Sequence, residues 1–386
     1  MALPAEVVEI AETLEQAGFE TWCVGGAIRD SLLGHPKSDI DLATQATPEE
    51  VQRLFRRTVP VGVKFGTVGV FDRANHLHEV TTFRKDVSTD GRHAVVEYGA
   101  SLDDDLARRD FTINAIAYHP LHHEWRDPFE GTGDLGRGLV KAVGDPAARF
   151  REDYLRILRA IRFAARLEFV IDAPTWAAAQ AAAPGLGQLS AERVREEWFG
   201  GLETTKSLAR LTRLWHEVGA AAIWLPGLAP GFPLKDDAPE IRDPIRLHAA
   251  LVANPAESLR VLKASTAEID RVARLAAGPP GPASAADVEV RRWLAKVEPF
   301  ADDLERLHWL RTGELAPWAE AVAGVRARGE AFERSGLKVT GDDLRAAGIG
   351  PGPEIGRVLA ALLEAVIGDP ALNERAILLE RAREMR

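Results

Sequence analysis

The hydrophobic pattern of this chain changes at about residue 140, and that change limits the folds open to it. Up to that point strand-like runs alternate with helical segments such as PEEVQRLFRR; the runs are TWCVGG, DIDLAT, GTVGVF, LHEVTTF and VVEY. From about Asp145 onward the apolar residues recur at helical spacing and strand runs vanish, apart from short fragments. The sequence therefore predicts a small α/β or α+β domain followed by domains that are almost wholly helical.

The length and the helix breakers predict how the chain is divided. At 386 residues the chain is too long for one ordinary hydrophobic core, so two to four domains are expected. The segments PGLGQ (184–188) and GPPGPASAAD (278–287) are rich in proline and glycine, which break helices and are typical of domain joints. Boundaries near residues 140, 200 and 280 follow.

Charge and hydropathy indicate where in the cell the protein is expected and which classes of binding partner are excluded. The sequence has no apolar run of about 20 residues, and MALPAEVVEIAETLEQAG has the pattern of an acidic amphipathic helix rather than of a signal peptide. We therefore expect a cytoplasmic protein with no membrane partner. The formal net charge of −10 argues against non-specific coating of nucleic acid, so no DNA partner is predicted, but a locally basic groove is compatible with it. The single cysteine, Cys23, is predicted to be a buried thiol.

The strongest local pattern is VGGAIRDSLLGHPKSDIDLAT, where a strand, a Gly-Gly turn, a short helix and a second strand follow one another. Gly26 permits close backbone approach to phosphate at the start of a helix, and Arg29 adds positive charge one turn later. On the second strand Asp39 and Asp41 alternate with one residue between them, so their carboxylates share a face and suit Mg²⁺. This arrangement predicts metal-assisted nucleotidyl transfer.

Each of these fragments also has an ordinary structural explanation. Gly-Gly can be a plain turn and Asp-Ile-Asp an exposed strand edge, although their order together favours the triphosphate site. A Rossmann dinucleotide site fits poorly because VGGAIRD lacks the third spaced glycine. Glu79 in LHEVTTFR is either a third acidic group of the site or a solvated strand glutamate, and the choice depends on a strand order that cannot be read from the sequence.

A second chemical pattern lies in RFREDYLRILRAIRFAARLEF, which has a helical period. Asp153 and Arg156 are three apart and are predicted to be neighbours on the helix surface. The arginine donates and the carboxylate accepts, which matches the edges of cytosine and adenine and rejects those of uracil and guanine. The pair would select CTP and ATP without a template. An ordinary helix with exposed pairs such as Glu152 with Arg156 is the competing explanation.

Other charged residues near these patterns are candidate contacts. On the same helix Arg159 and Arg162 suit a triphosphate or an RNA backbone. In DDDLARRDFTINAIAY, Arg109 and Asp110 suit a grip on ribose hydroxyls and phosphate, with a structural salt bridge between domains as the alternative.

The ordered motifs resemble those of the class II CCA-adding enzymes and the bacterial poly(A) polymerases. They are GGAIRD, DIDLAT, EVTTFR, DGRHAVVEY, RRDFTINAIAY, EDYLRILRAIRFAARLEF and SAERVREE, with a looser match at GDDLRAAGIGPGPEIG. The resemblance implies an α+β fold. Its parts would be a polymerase-β-type nucleotidyltransferase head with a mixed sheet over 1–140, then an all-α neck over 141–200, body over 201–280 and tRNA-binding tail over 281–386.

The resemblance also assigns roles by position. It implies a catalytic, metal-binding pair at Asp39 and Asp41. It implies a set of nucleotide-binding residues: Gly26, Arg29, Arg109, Asp110, Asp153, Arg156, Arg159 and Arg162. Relatives that add only CC have a shortened flexible loop between the EVTTFR and RRDFT motifs. Here the loop TFRKDVSTDGRHAVVEY has its full length, and Asp90 and Arg92 resemble its polar residues.

The function implied is the addition of CCA to the 3′ end of tRNA from CTP and ATP, with Mg²⁺ as cofactor and pyrophosphate released. The acceptor and TΨC arm of the tRNA would be held by the tail through backbone shape and 2′-hydroxyls. CC-only addition and poly(A) synthesis are alternatives with the same chemistry. A non-catalytic RNA-binding protein on this scaffold would be expected to lack Asp39 or Asp41, and both are present.

Overall fold

The computed structural model describes residues 1, 3–35, 40–62, 66–89, 94–230 and 242–385, with the backbone alone for 85–89 and 94–98. Two compact units are present, Met1–Gly231 and Phe232–Arg386. The strands, all in the first unit, are β1 (Thr21–Val24), β2 (Asp41–Thr44), β3 (Thr58–Gly62), β4 (Thr67–Phe71), β5 (Leu77–Thr82), β6 (Arg84–Thr89), β7 (Ala94–Tyr98), β8 (Ala117–Tyr118), β9 (Trp125–Arg126), β10 (Leu139–Val140) and β11 (Val170–Ile171).

Helices accompany these strands and form the rest of both units. In the first unit they are α1 (Ala5–Gln16), α2 (Gly26–Leu32), α3 (Pro48–Leu54), α4 (Leu102–Ala107), α5 (Gly131–Arg137), α6 (Pro146–Glu152), α7 (Leu155–Leu167), α8 (Ala173–Ala182), α9 (Ala191–Thr204), α10 (Leu208–Glu217) and α11 (Ala220–Trp224). In the second they are α12 (Pro244–Leu251), α13 (Pro255–Val261), α14 (Thr266–Ala277), α15 (Asp287–Val297), α16 (Ala301–Thr312), α17 (Ala319–Ala327), α18 (Gly341–Ala346), α19 (Pro353–Gly368) and α20 (Arg375–Glu384). Short 3-10 turns lie at Thr112–Asn114, Ala183–Gln188, Arg334–Gly336 and Pro370–Leu372.

The first unit is built on a mixed seven-stranded sheet with the order β3-β4-β5-β2-β1-β8-β9. Strand β1, in the interior of the sheet, is buried on both faces, because Cys23 faces the core formed with α1 and α2 whereas Trp22 and Val24 face the core on the side of α4. β2 lies antiparallel to β1 and parallel to β5. The predicted mixed sheet with helices, followed by a helical remainder, is confirmed.

Buried polar groups in this unit follow from how its hairpins and turns close. Burial raises the pKa of Cys23 to about 12, which confirms the predicted buried thiol. In the β4–β5 hairpin, partial desolvation alone would raise the pKa of Asp72. Hydrogen bonds from the His76 N–H at 2.8 Å and from the His78 ring at 3.2 Å outweigh it and lower that pKa to about 2.

Two of the predicted joints lie inside ordered structure. PGLGQ belongs to the 3-10 turn Ala183–Gln188, where Gly185 and Leu186 are buried, so its proline and glycine shape a packed turn rather than a linker. The boundary predicted near residue 200 falls within α9, whereas the chain is divided into its two compact units after residue 231. The division into head, neck, body and tail stays a prediction.

In the residues described for the second unit, the regular secondary structure is all helical. One of its cores contains Leu344, Leu362, Val366 and Leu378 from α18, α19 and α20. Arg291 is almost fully buried and donates to the Ile367 carbonyl oxygen at 2.7 Å and to Glu330 at 2.5 Å. In the described part of the chain, no helix combines the length and apolar character needed to span a membrane.

Candidate active site

A cavity of about 400 Å³ in the first unit gathers most of the predicted site residues. Seven of them line it: Gly26, Asp41, Arg109, Asp110, Asp153, Arg156 and Arg159. Its other lining residues are Gly25, Arg108, Asn114, Leu155 and Arg193. Two further predicted residues, Arg29 and Arg162, are not part of the lining. Asp39, Asp90 and Arg92 lie outside the described residues.

The glycine turn brings the chain close to two charged side chains. Gly25 has a φ of +83°, a conformation that glycine adopts without strain, and it precedes the first turn of α2. A Cβ placed on Gly25 would lie 3.4 Å from an Arg109 guanidinium nitrogen and 3.5 Å from Asp41 Oδ2. The turn, the first residue of β2 and Arg109 therefore converge at one end of the cavity.

Arg29 lies behind this turn rather than in the cavity. It is 2 % exposed, its Nε donates to Asp30 Oδ1 at 2.8 Å, and a terminal nitrogen donates to Asn114 Oδ1 at 2.7 Å. Burial lowers the pKa of Arg29, and the paired Asp30 opposes that shift. Arg166 completes the cluster through Asp30 Oδ2 at 2.7 Å. Arg29 thus orients Asn114, which lines the cavity, while its own nucleotide contact stays a prediction.

The RRD sequence after α4 places two arginines on one buried carboxylate. Asp105 is 1 % exposed and accepts from Arg108 at 2.8 Å and from Arg109 at 3.0 Å. Burial alone would raise the pKa of Asp105, but attraction to Arg109 and Arg108 lowers it. Arg109 also donates to the Asn114 carbonyl oxygen at 3.3 Å. Asp105 therefore fixes the position from which Arg109 reaches the cavity.

Asp110 is buried and accepts three hydrogen bonds. Its Oδ1 accepts from the Phe111 N–H at 2.8 Å and from Asn114 Nδ2 at 2.9 Å, and its Oδ2 accepts from Arg159 Nε at 2.7 Å. Burial alone would raise the pKa of Asp110. The charge of Arg159 and these three hydrogen bonds outweigh burial and hold the pKa below its usual value. Asp110 is therefore an anion that orients Arg159 at the cavity wall.

The segment that carries Asp153 is a break between two helices, and the prediction of one continuous helix was wrong. α6 ends at Glu152 and α7 begins at Leu155, while Asp153 is extended, with φ −157° and ψ 106°. The cause is the aspartate side chain, whose Oδ1 accepts from the Leu155 N–H at 3.0 Å and so replaces a helical hydrogen bond. Its Oδ2 accepts from Arg193 at 2.6 Å.

Arg156 is held by the protein on one side and faces the cavity on the other. Its guanidinium donates to Glu152 at 2.6 Å, to the Arg149 carbonyl oxygen at 3.0 Å and to the Arg108 carbonyl oxygen at 3.1 Å. The ion pair of Arg156 with Glu152, which an ordinary surface helix would also have, is thus present. It is not an exposed pair, because the Arg156 side chain is only 12 % exposed.

Two arginines further along α7 share Glu197 of α9. Arg162 Nε donates to Glu197 at 2.6 Å, and Arg159 lies 3.6 Å from the same carboxylate. The pKa of Arg159 is raised, first by the charge of Asp110. Both guanidinium groups and that of Arg29 lie about 5 Å from the Phe163 ring centre. Arg159 points toward the cavity, whereas Arg162 is turned toward α9.

Sequence reasoning assigned no role to Arg193 or Asn114, which both line the cavity. Arg193 lies in SAERVREE, a motif that carried only the family resemblance, and its pairing with Asp153 depends on how α9 packs beside α7. Asn114 lies in a 3-10 turn shortly after the RRD sequence. Its polar side chain within the apolar run FTINAIAY was the one sequence signal that could have indicated a role in the site.

The sheet order now places Glu79 near the acidic strand. Leu42 of β2 lies opposite Val80 of β5 in parallel register, so the same register one residue earlier sets Asp41 beside Glu79, and both are exposed. These carboxylates supply the oxygen donors that hard divalent cations prefer. In the described ranges, which omit Asp39, no cluster of three or more potential metal ligands occurs.

Comparison with known proteins gives matches along the chain. Residues 21–141 match the family described as Poly A polymerase head domain, and residues 246–382 match tRNA nucleotidyltransferase domain 2. The CCA-adding enzyme of Lactiplantibacillus plantarum is 32% identical, with 99% of this chain and 97% of that protein covered. The CCA-adding enzyme of Limosilactobacillus fermentum is 35% identical over 99% and 98%.

The chain belongs to the CCA-adding enzyme family. Among solved structures, the Bacillus stearothermophilus CCA-adding enzyme in complex with CTP superposes with a TM-score of 0.84 at 33% identity, covering 98% of both chains. As a member of this family the protein is a nucleotidyltransferase of tRNA processing. Nucleotidyltransferases in general require a divalent metal, and the donors at the β2 edge fit one.

Proposed function

We propose that this chain builds the 3′-terminal CCA of tRNA from CTP and ATP and releases pyrophosphate. One observation carries the proposal: a single cavity joins Asp41 and the Gly25–Gly26 turn to Asp153 and Arg156. Asp41 and the glycine turn have the chemistry to bind a metal-bound triphosphate. Asp153 and Arg156 have the chemistry to bind the edge of a base. The full-length similarity to CCA-adding enzymes supports the same conclusion.

Asp39 and Asp41 are the proposed ligands for Mg²⁺. Carboxylate oxygens suit this hard cation, and Asp41 is exposed at the cavity. When bound, the metal would stabilise negative charge on the attacking and leaving oxygens of an in-line displacement.

The triphosphate is proposed to bind between the glycine turn and the arginines. The lining contains five arginines and three aspartates, so positive charge is in excess where polyphosphate would lie. Arg109 and Arg159 are pre-oriented by Asp105 and Asp110, which lowers the entropic cost of binding the nucleotide. The additional contacts expected of Arg29 and Arg162 belong to this proposal as well.

Base selection is proposed for Asp153 and Arg156. A guanidinium has five N–H donors, and within the described residues Arg156 uses three of them on protein oxygens, which leaves two for N3 and O2 of cytosine. The Asp153 carboxylate has lone pairs beyond those used by Leu155 and Arg193, so it can accept from the exocyclic amino group. Uracil and guanine would put donor against donor or acceptor against acceptor.

The second unit offers a basic surface for tRNA. Two adjoining cavities of about 230 and 240 Å³ share Gly278 and Leu304, and their charged lining residues are Arg274, Lys296 and Arg311. In the described ranges these three make no ion pair, although arginines elsewhere in the unit are paired with acids. Unneutralised cations in an acidic protein suit RNA phosphates. We propose them as tRNA contacts of the body and tail.

The tRNA surface can be tested separately from catalysis. Replacing Arg274, Lys296 and Arg311 with alanine should weaken tRNA binding and make log Kd depend less steeply on log salt concentration. The slope should fall by about 0.9 for each phosphate that the protein no longer neutralises. Arg292→Ala is the matched control, because Arg292 is already paired with Glu289 and Glu364. An unchanged slope in the triple variant would count against this surface.

The proposed activity is tested with purified protein, Mg²⁺ and tRNA that lacks its CCA end. Each labelled nucleotide is supplied alone and in combination, and the products are resolved by length. Growth by three nucleotides that needs both CTP and ATP is the expected result. A stop after two additions would indicate CC-only addition, and a long A tail would indicate poly(A) synthesis. Because tRNA is used in the cytoplasm, we place the activity there.

A further inference from the structure

We propose that contact between Tyr154 and Gly185 positions Asp153 for base selection. This inference rests on the proposed role of Asp153, and it concerns two residues that do not line the nucleotide cavity. They lie on the other side of the break between α6 and α7.

The break separates two cavities. Asp153 and Leu155 line the nucleotide cavity, whereas Tyr154 lines a second cavity of about 390 Å³ between α6, α8 and the 3-10 turn Ala183–Gln188. Consecutive residues therefore face opposite sides. The side chain of Tyr154 is the means by which the 3-10 turn can act on the backbone next to Asp153.

The contact requires glycine at position 185. A Cβ placed there would lie 2.2 Å from Tyr154 Cε1, 2.3 Å from Cζ and 2.5 Å from Cδ1. These distances are far below van der Waals contact, so the ring lies flush against the turn. Because the clash includes Cδ1, close to the backbone of Tyr154, any added side chain must displace the whole ring.

An ion pair also joins the α6–α7 break to the segment that follows the 3-10 turn. The 3-10 turn leads into α9, which supplies Arg193 to Asp153 Oδ2 at 2.6 Å. Asp153 directly follows the last residue of α6 and is extended, so it lies outside the regular conformation of both helices. Its position is thus set by Arg193, by its cap on Leu155 and by the packing of Tyr154. Loss of one of these leaves the carboxylate less precisely placed for a base.

The expected effect is on nucleotide choice. Displacement by about 1 Å from outside a reaction centre can cost up to a hundredfold in rate, so we expect the ratio of kcat/KM for CTP to that for UTP to fall about tenfold in Gly185→Ala. Tyr154→Ala should lower the ratio similarly. The double variant should match Tyr154→Ala, because the added Cβ then has no ring to meet.

The chain offers matched controls. Gly187→Ala adds the same methyl group to the same turn, where nothing lies within 4 Å, and should leave the ratio unchanged. Tyr154→Phe keeps the ring and should retain the wild-type ratio, since the tyrosine hydroxyl makes no hydrogen bond to the described residues.

For every variant the ratio of kcat/KM for CTP to that for UTP is measured on tRNA lacking CCA, and the Tm is measured by thermal melting. A purely structural role would lower the Tm of Gly185→Ala and leave the CTP to UTP ratio within twofold of wild type, which would overturn the inference. Additive losses in the double variant would overturn it too. A wild-type protein with no preference for CTP over UTP would instead overturn the proposed role of Asp153.

Discussion

Replacing Asp110 with asparagine tests the charge arrangement at the cavity wall. The amide oxygen of asparagine can still accept from the Phe111 N–H and from Asn114 Nδ2. Its amide nitrogen would face Arg159 Nε, which now donates to the carboxylate at 2.7 Å. A charge-assisted hydrogen bond between buried groups is thereby replaced by two opposed donors.

The structure sets the size of the effect. Loss of such a bond costs about 1.5–3 kcal/mol, and loss of one partner of a fully buried pair costs about 3–5 kcal/mol. The Arg159 side chain is 33 % exposed and keeps part of its hydration, so we expect about 2 kcal/mol. For a unit of this size that corresponds to a Tm lower by roughly 4–8 °C at pH 7. Asp103→Asn is the control: it breaks an exposed ion pair between Asp103 of α4 and Arg126, and should cost at most about 1 kcal/mol.

The same variant predicts a pH dependence. The folded-state pKa of Asp110 is depressed, so its stabilisation is complete above the unfolded value near pH 4 and is lost as pH falls through the lower folded value. Thermal melting from pH 7 to pH 3 should therefore show a constant gap between wild type and Asp110→Asn down to about pH 4, and a narrowing gap below it. Equal Tm values at pH 7, or a gap that persists undiminished at pH 3, would refute the reasoning.

Three other substitutions test separate parts of the structure. Asp41→Asn should lower nucleotide addition on the order of a hundredfold or more while the Tm stays near that of wild type, because the residue is exposed at the cavity; near-normal turnover would exclude it from the site. Gly131→Ala should destabilise the first unit by about 1–3 kcal/mol in denaturation, since its Cβ would meet the Thr112 carbonyl oxygen at 2.1 Å, whereas Gly136→Ala has open space and should not. Asp72→Asn should be less stable than wild type at neutral pH, and because the folded pKa of Asp72 is about 2, titration should close that difference between about pH 4 and pH 2.

Local patterns in the sequence predicted the elements of the fold well, because each depends on neighbours in the chain. The strand-like apolar run TWCVGG predicted β1, and the helical period after Asp145 predicted the helices that follow. The break at Asp153 was missed, since periodicity records only which side chains are apolar. Whether an aspartate accepts from a nearby backbone N–H and interrupts the helix depends on its partners, here Arg193.

Pairings between distant segments could not be predicted in the same way. The parallel pairing of β2 with β5, which brings Glu79 beside Asp41, skips two intervening strands. Likewise nothing local to Arg29 indicates that it turns inward to Asp30 and Asn114. The charged residues of the family motifs could be proposed as a group, because polar residues recur there among apolar ones, and their roles stay predictions. Which of them face the cavity depends on tertiary packing.

The buried thiol of Cys23 can report when the catalytic sheet opens. Cys23 is the only cysteine of the chain, and with a pKa of about 12 it has almost no reactive thiolate while β1 stays packed. A thiol reagent will therefore label the protein only when the strand that leads into the Gly25–Gly26 turn separates from its neighbours. The labelling rate then follows the opening of the catalytic sheet, with no engineered probe. A cysteine introduced elsewhere on the surface can carry a dye without removal of the native one.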